Sequence, residues 1–331
     1  MKKLLKLSAF IPLASIFTLV SCNQPIVPET TNYQLKTKQK SLNQELLDKI
    51  VKEHYLPTDN FAAKAYINNQ NSIDDGIYVE LKSSLIFASI INSDVLANSG
   101  PKRVLVGKGI NAISNTLNND WYFYLNNLNK FNYILNPFGS RYIDLHVDQD
   151  EQQQKINPKS TQAQFEYVNR KYNSANLELK NPKILSITEK ILTNQKADIY
   201  NNKSVMYLNI ENNYIIPVFK YQADNNSATK LFVSPDIIWK QNPDLSIENL
   251  INQFHDAFQN SWSELLKKEY DYNVEIESSD PDIVYSQFND ENLFKLYKNN
   301  NYNEITSLAI AKLNQDQLNA FRYTWGYVYE N

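Results

Sequence analysis

Asp120-Trp121-Tyr122-Phe123-Tyr124-Leu125-Asn126-Asn127-Leu128-Asn129-Lys130-Phe131-Asn132-Tyr133-Ile134-Leu135-Asn136-Pro137-Phe138 is the densest aromatic and apolar stretch in the chain, and its period decides the fold class. At 100° per residue, Trp121, Tyr124, Leu125, Leu128, Phe131 and Leu135 share one helical face, while Tyr122 with Tyr133 and Phe123 with Ile134 fall on two others. A helix apolar on nearly every side is buried on nearly every side, so the spacing predicts a central core helix. Aromatic faces interleaved with asparagine amides are also the chemistry that meets sugars, rings stacking on apolar faces and amides exchanging hydrogen bonds with hydroxyls. The candidate ligand-binding residues are accordingly Trp121, Tyr122, Phe123, Tyr124 and Tyr133.

Upstream, the pattern from Lys102 through Val104, Ile110, Ile113 and Leu117 to Leu135 predicts one long helix, or two broken near Gly107 and Gly109. Further helices are expected at Ser41 to Pro57, with Ser41 and Gln44 spaced as a capping box, at Phe61 to Tyr66 and at Tyr78 to Ala97. Residues 41–145 read as a helical bundle segment. In 146–331 a polar loop, His146 to Lys159, leads to a helix at Ser160 to Tyr172. Strands follow at Val205 to Ile210 and Tyr214 to Tyr221 around Glu211-Asn212-Asn213, which reads as a hairpin, with a third at Lys230 to Val233. Pro217 assigns the second strand to an edge or a bulge. Ser246 caps a helix in which Ile247, Leu250, Ile251, Phe254, Phe258, Trp262 and Leu265 hold a 3.6-residue period. Helices at Glu291 to Lys298, Asn303 to Leu313 and Gln315 to Tyr329 complete the pattern. The expected fold is mainly α (α+β), a helical bundle with a small antiparallel sheet in the C-terminal half.

The N-terminus reports on location. Lys2, Lys3 and Lys6 precede apolar Leu7 to Val20, a run too short for the ~20 residues of a membrane-spanning helix. Leu19-Val20-Ser21-Cys22 has the form of a lipobox, so residues 1–21 read as a lipoprotein signal peptide and Cys22 as the lipid attachment site. Residues 22–40, with two prolines and no apolar period, read as a disordered tether. Loss of the three lysines takes the formal charge from −3 to −6. No Lys/Arg cluster offers a phosphate-tracking face, which argues against nucleic acid as a partner. Cys22 is the single cysteine, so a lipidated mature chain has no thiol left for a disulfide or a nucleophile. The 45 asparagines, 29 lysines against 4 arginines and only 6 glycines resemble the output of an AT-rich genome, as in a wall-less mollicute.

The lipobox at Cys22, the segment Trp121-Tyr122-Phe123-Tyr124-Leu125 with its sequel Asn127-Leu128-Asn129-Lys130-Phe131, and the overall length resemble those of mycoplasma lipoproteins described as aromatic cluster, or aromatic motif, surface proteins. The resemblance implies a surface lipoprotein of the cell membrane, on its extracellular face, and transfers no catalytic residue.

Catalytic patterns are scarce. The three histidines stand at 54, 146 and 255, outside any HExxH, and neither GxSxG nor a P-loop occurs. Gly107-Lys108-Gly109 begins a G-x-G-x-x-A without a preceding strand. His146-Val147-Asp148-Gln149-Asp150-Glu151 is the best metal candidate, yet acidic loops are ordinarily just solvated. His255, on the Ser246 helix, reads as structural rather than as a base. The expected protein is therefore non-catalytic, without cofactor or metal. It is anchored in the membrane through its N-terminal lipid and engages a host surface or glycan ligand through the aromatic-rich segment. The competing readings are a solute-binding lipoprotein of a transporter, which needs two α/β lobes, and a secreted hydrolase whose site lacks a familiar motif.

Overall fold

The computed structural model describes residues 42–55, 60–91, 103–136, 176–193, 203–221, 229–298, 301–315 and 320–328. All of them fall within one compact unit, 40–331. Its frame is an antiparallel sheet of eight strands: β1 (Asn132–Leu135), β2 (Asn176–Glu178), β3 (Ile184–Ile191), β4 (Ser204–Ile210), β5 (Tyr214–Tyr221), β6 (Lys230–Val233), β7 (Asp236–Lys240) and β8 (Ala320–Trp325). The order across the sheet is β2-β1-β8-β7-β5-β4-β3, with β6 also paired to β5. A helical bundle with a small antiparallel sheet in the C-terminal half is therefore not the fold. The sheet spans the unit, and β1, from inside the expected bundle, lies between β2 and β8.

The expected hairpin is present. β4 and β5 pair from Ser204↔Lys220 to Ile210↔Tyr214, and the turn places Glu211 and Asn212 at φ 54° and 56°. Pro217 does not mark an edge. Its carbonyl accepts from the Ser234 amide at 2.9 Å, so its missing N–H points to the side on which the partner of β5 changes from β7, at Tyr214 and Ile215, to β6, at Val218 to Tyr221. A proline costs no ladder bond at such a junction.

Two expected helices change character. The stretch beginning at Arg103 is divided into α4 (Arg103–Asn118), which runs straight through Gly107 and Gly109, a short α5 (Trp121–Asn126), a 3-10 turn (Leu128–Lys130) and then β1. Gly109 is where α4 meets α3 (Gly76–Phe87): a Cβ there would lie 3.0 Å from both the Ala88 Cβ and the Ser84 carbonyl oxygen. Of the expected helix at Gln315 to Tyr329, Ala320–Trp325 is instead β8. Every residue of β8 is buried, so no in-out alternation separated strand from helix.

α1 (Leu42–Tyr55), α2 (Asn60–Asn71), α6 (Ile247–Tyr270) and α9 (Asn301–Gln315) match helices expected from the sequence, and two short helices, α7 (Pro281–Gln287) and α8 (Asp290–Leu293), connect α6 to α9. The hydroxyl of Ser246 accepts from the Asn249 amide at 3.1 Å, capping α6. The expected apolar face of α6 is buried from Leu250 to Leu265.

Strand parity divides the helices between the two faces of the sheet. On one, Phe219 packs on Phe258 of α6 and Tyr302 of α9, at ring-centroid distances of 5.4 and 5.8 Å. On the other, Trp325 packs on Tyr124 and Phe131. A fully buried ion pair joins the α9 side: Arg322 Nη2 lies 2.8 Å from Asp236 Oδ2. Asp236 also accepts from the hydroxyls of Thr324 and Tyr302, and Arg322 donates to the Asn303 carbonyl, the Asn303 side chain and the Ser307 hydroxyl. Such a pair stands only when its remaining polar atoms are also bonded, as most of these are.

Candidate functional site

α5 is too short to hold itself together, since four N–H groups of any helix start without an internal partner. Its N-cap, Asp120, makes no side-chain cap. The partners come from α2. Gln70 Oε1 accepts from the Phe123 amide at 2.9 Å, and the Tyr66 hydroxyl accepts from the Tyr122 amide at 3.4 Å. Asp120 turns its carboxylate to Gln70 Nε2 at 2.8 Å and to Asn115 Nδ2 at 2.5 Å. The aromatic segment is thus capped by a neighbouring helix, which fixes where its rings lie.

Within the hydrophobic core those rings make two groups of ring contacts, Tyr66 with Trp121 and Tyr122, and Tyr78 with Phe123, Phe131, Tyr124 and Trp325. Tyr66 lies 5.4 Å from Trp121, Tyr78 lies 5.1 Å from Phe123 and 5.5 Å from Phe131, and Tyr124, Phe131 and Trp325 are mutual neighbours at 5.0–5.1 Å. Lys130 closes the rim, 4.3 Å above the Tyr78 ring and 2.8 Å from Asp75. Each contact adds on the order of 0.5–1.5 kcal/mol to the burial of the rings themselves.

Trp121, Tyr122, Phe123, Tyr124 and Tyr133 are all buried, at 0–4% exposure. Tyr122 donates its hydroxyl to Asp48 of α1 at 2.6 Å, and burial together with the Asp48 carboxylate raises its pKa far above the ordinary tyrosine value. Tyr133 is on β1, paired with Trp325, and not on a shared helical face with Tyr122. Burial also raises the pKa values of Tyr124 and Tyr133, whose hydroxyls face each other. Cys22 and the His146 to Glu151 loop lie outside the described residues. Among the described residues no group of three His, Cys, Asp or Glu could hold a metal ion. His255 is buried with Nδ1 3.2 Å from the Tyr207 hydroxyl.

Of the five candidates, Trp121 lines a cleft among the described residues. This opening, of about 480 Å³, is lined by His54, Tyr66, Asn69, Gln70, Asn118, Asn119, Asp120, Trp121, Tyr221, Thr229, Lys230 and Leu231. Its volume lies in the ~300–1,000 Å³ range of small-molecule sites. His54 has its pKa lowered by burial and by Lys220, which favours the neutral imidazole. Tyr66 and Gln70 were not singled out in the sequence, because partners about fifty residues apart share no local period. The polar run Asn68-Asn69-Gln70-Asn71 at the end of α2 was the one available sign.

The fold and this site define a three-layer α/β/α unit whose helical side is organised by a buried aromatic cluster, with a polar cleft at its rim. The chain belongs to the aromatic cluster surface protein family, whose model matches residues 24–279. It is a cell-surface protein by that membership. No curated protein and no solved structure matches the chain. Among the described residues no helix is long and apolar enough to cross a membrane.

Proposed function

We propose that this is a non-catalytic surface protein of a mollicute, held on the extracellular face of the cell membrane by acyl chains on Cys22 and acting by binding a host surface or a soluble ligand. The observation that carries the reading is Leu19-Val20-Ser21-Cys22 behind a basic, apolar leader, in a chain that belongs to a surface-protein family. Stable attachment needs two or more acyl chains, as one chain binds a membrane only marginally. The binding part is supported by the open cleft against the aromatic cluster. The transporter-receptor reading gains nothing from the described fold, which is a single antiparallel sheet in place of two α/β lobes.

Detergent phase partitioning of the wild type against Cys22→Ala tests the anchor. The wild type is expected in the detergent phase and the variant in the aqueous phase. Equal partitioning of the two would overturn the anchor.

A further inference from the structure

Past Tyr270, α6 continues into a π-helical turn, Asp271–Ile276. The Glu277 amide donates to the Tyr272 carbonyl at 3.1 Å, the i to i+5 spacing of such a turn. The wider turn puts Tyr272 and Ile276 on one face, with Glu275 to one side of it and Glu277 to the other. Local contacts brace it. The Asn273 side chain donates to the Glu269 carbonyl at 2.8 Å and to its carboxylate at 3.1 Å, and the Ser279 amide donates to the Asn273 carbonyl at 2.8 Å. The Tyr270 ring meets the Tyr285 ring of α7 at 5.5 Å, and Asp280 caps α7 by accepting from the Asp282 amide at 2.9 Å.

This bracing holds three apolar side chains in place without burying them. Tyr272 and Ile276 are 54% and 68% exposed, and Ile283, beside buried Val284 on α7, is 57% exposed. Single exposed apolar residues are ordinary, but three on adjoining braced turns make a surface to be covered.

The surroundings set the charge of the cover. From Glu269 to Asp282 the chain has six acidic residues and no lysine, arginine or histidine. Glu275, Glu277, Asp280 and Asp282 are exposed, and among the described residues no ion pair engages Glu275, Glu277 or Asp282. Lys267 and Lys268 stand one turn earlier, in the last turn of α6, where they complement its dipole. A second copy of this surface brings carboxylate against carboxylate, and an anionic bilayer or a nucleic acid carries the same sign. A basic segment with apolar residues of its own matches both the apolar face and its rim.

We propose that Tyr272, Ile276 and Ile283, rimmed by Glu275, Glu277 and Asp282, form a docking surface for a basic amphipathic segment of a partner protein. Apolar side chains of the partner cover the exposed face, and its lysines or arginines meet the rim, which speeds association and makes it sensitive to salt. None of these residues lines the cleft, so the surface adds a second contact to the binding role above.

The test measures binding of a fluorescent amphipathic helix of leucine and lysine to the full-length protein in neutral detergent micelles, with protein-free micelles as the baseline. Oligolysine and a leucine–glutamate helix of equal length are the controls. The leucine–lysine helix is expected to bind most tightly, and more weakly as salt rises. Glu275→Gln with Glu277→Gln is expected to weaken it about fivefold, and Ile276→Ser or Tyr272→Ser about tenfold each, with melting temperatures unchanged. Asp244→Asn with Glu248→Gln removes the same charge near the start of the 24-residue α6, roughly 36 Å along the helix. That pair is expected to leave binding unchanged. Binding no tighter than that of oligolysine, an equal loss from either charge pair, indifference to both serine substitutions, or preference for the acidic helix would each overturn the surface.

Discussion

Tyr122 shows how little of the aromatic segment is spare. It was singled out as a residue that could touch a ligand, and it is instead closed between the Tyr66 and Trp121 rings with its hydroxyl on buried Asp48. Tyr122→Phe keeps the ring and removes the donor. A hydrogen bond to a charged group is worth ~1.5–3 kcal/mol, and its loss leaves a desolvated carboxylate short of one partner. Urea denaturation is expected to show a loss of about that size at neutral pH. An unchanged midpoint would mean that the Asp48 contact contributes nothing net. Trp121 differs from its neighbours in kind, since the same indole that anchors the core also borders the cleft.

α5 exists because α2 caps it, a dependence between elements that no local rule contains. Gln70→Ala removes the acceptor of the Phe123 amide and one donor to Asp120. The expected cost is ~1–3 kcal/mol, the penalty of a buried donor left unmade. Hydrogen exchange should locate the effect, with the Phe123 amide losing protection before amides of α6 do. Uniform acceleration across both helices would contradict a local capping role. The elements legible in the sequence were those with a one-sided environment or a marked end, such as α6 with its Ser246 cap and the hairpin with its Glu211-Asn212-Asn213 turn. β1 and β8 were not legible. β8 is buried on both faces and carries Arg322 at its centre, so its Phe321, Tyr323 and Trp325 alternation competed with an equally good helical spacing from Phe321 to Trp325. The Trp121 to Leu135 run failed for the same reason, since a segment apolar on every side has no preferred period. The cleft was legible only through Trp121, because its other walls are brought together by the topology.

At the scale of the whole molecule, stability should depend on pH through buried His255 and half-buried His54. The pKa of His255 is lowered by burial and by Lys190, against the opposing pull of Asp256 and the Ile191 backbone. That of His54 is lowered by burial and by Lys220. In both the folded state favours the neutral ring, so stability is greatest above the unfolded value of 6.5. As the pH falls below that value the unfolded chain takes up protons first, and stability declines until the folded pKa values are passed. Melting temperatures between pH 7 and pH 5 should fall for the wild type and less steeply for His255→Gln. Parallel curves would remove His255 from the account.

The position of β8 also governs when the molecule can become itself. Residues 320–325 lie between β1 and β7, and the Asn136 amide reaches the Thr324 hydroxyl across a separation of 188 residues. Closing a loop of that length precedes the contacts that reward it, and sheets built from such distant pairs form slowly. During vectorial synthesis or export, the strands from β1 to β7 emerge while the slot between β1 and β7 is still empty, with two unpaired edges exposed. The aromatic cluster cannot close either, because Trp325 is one of its rings. β8 is thus the strand whose arrival joins the β2-β1 pair to the β7-β5-β4-β3 strands and brings Trp325 against Tyr124 and Phe131.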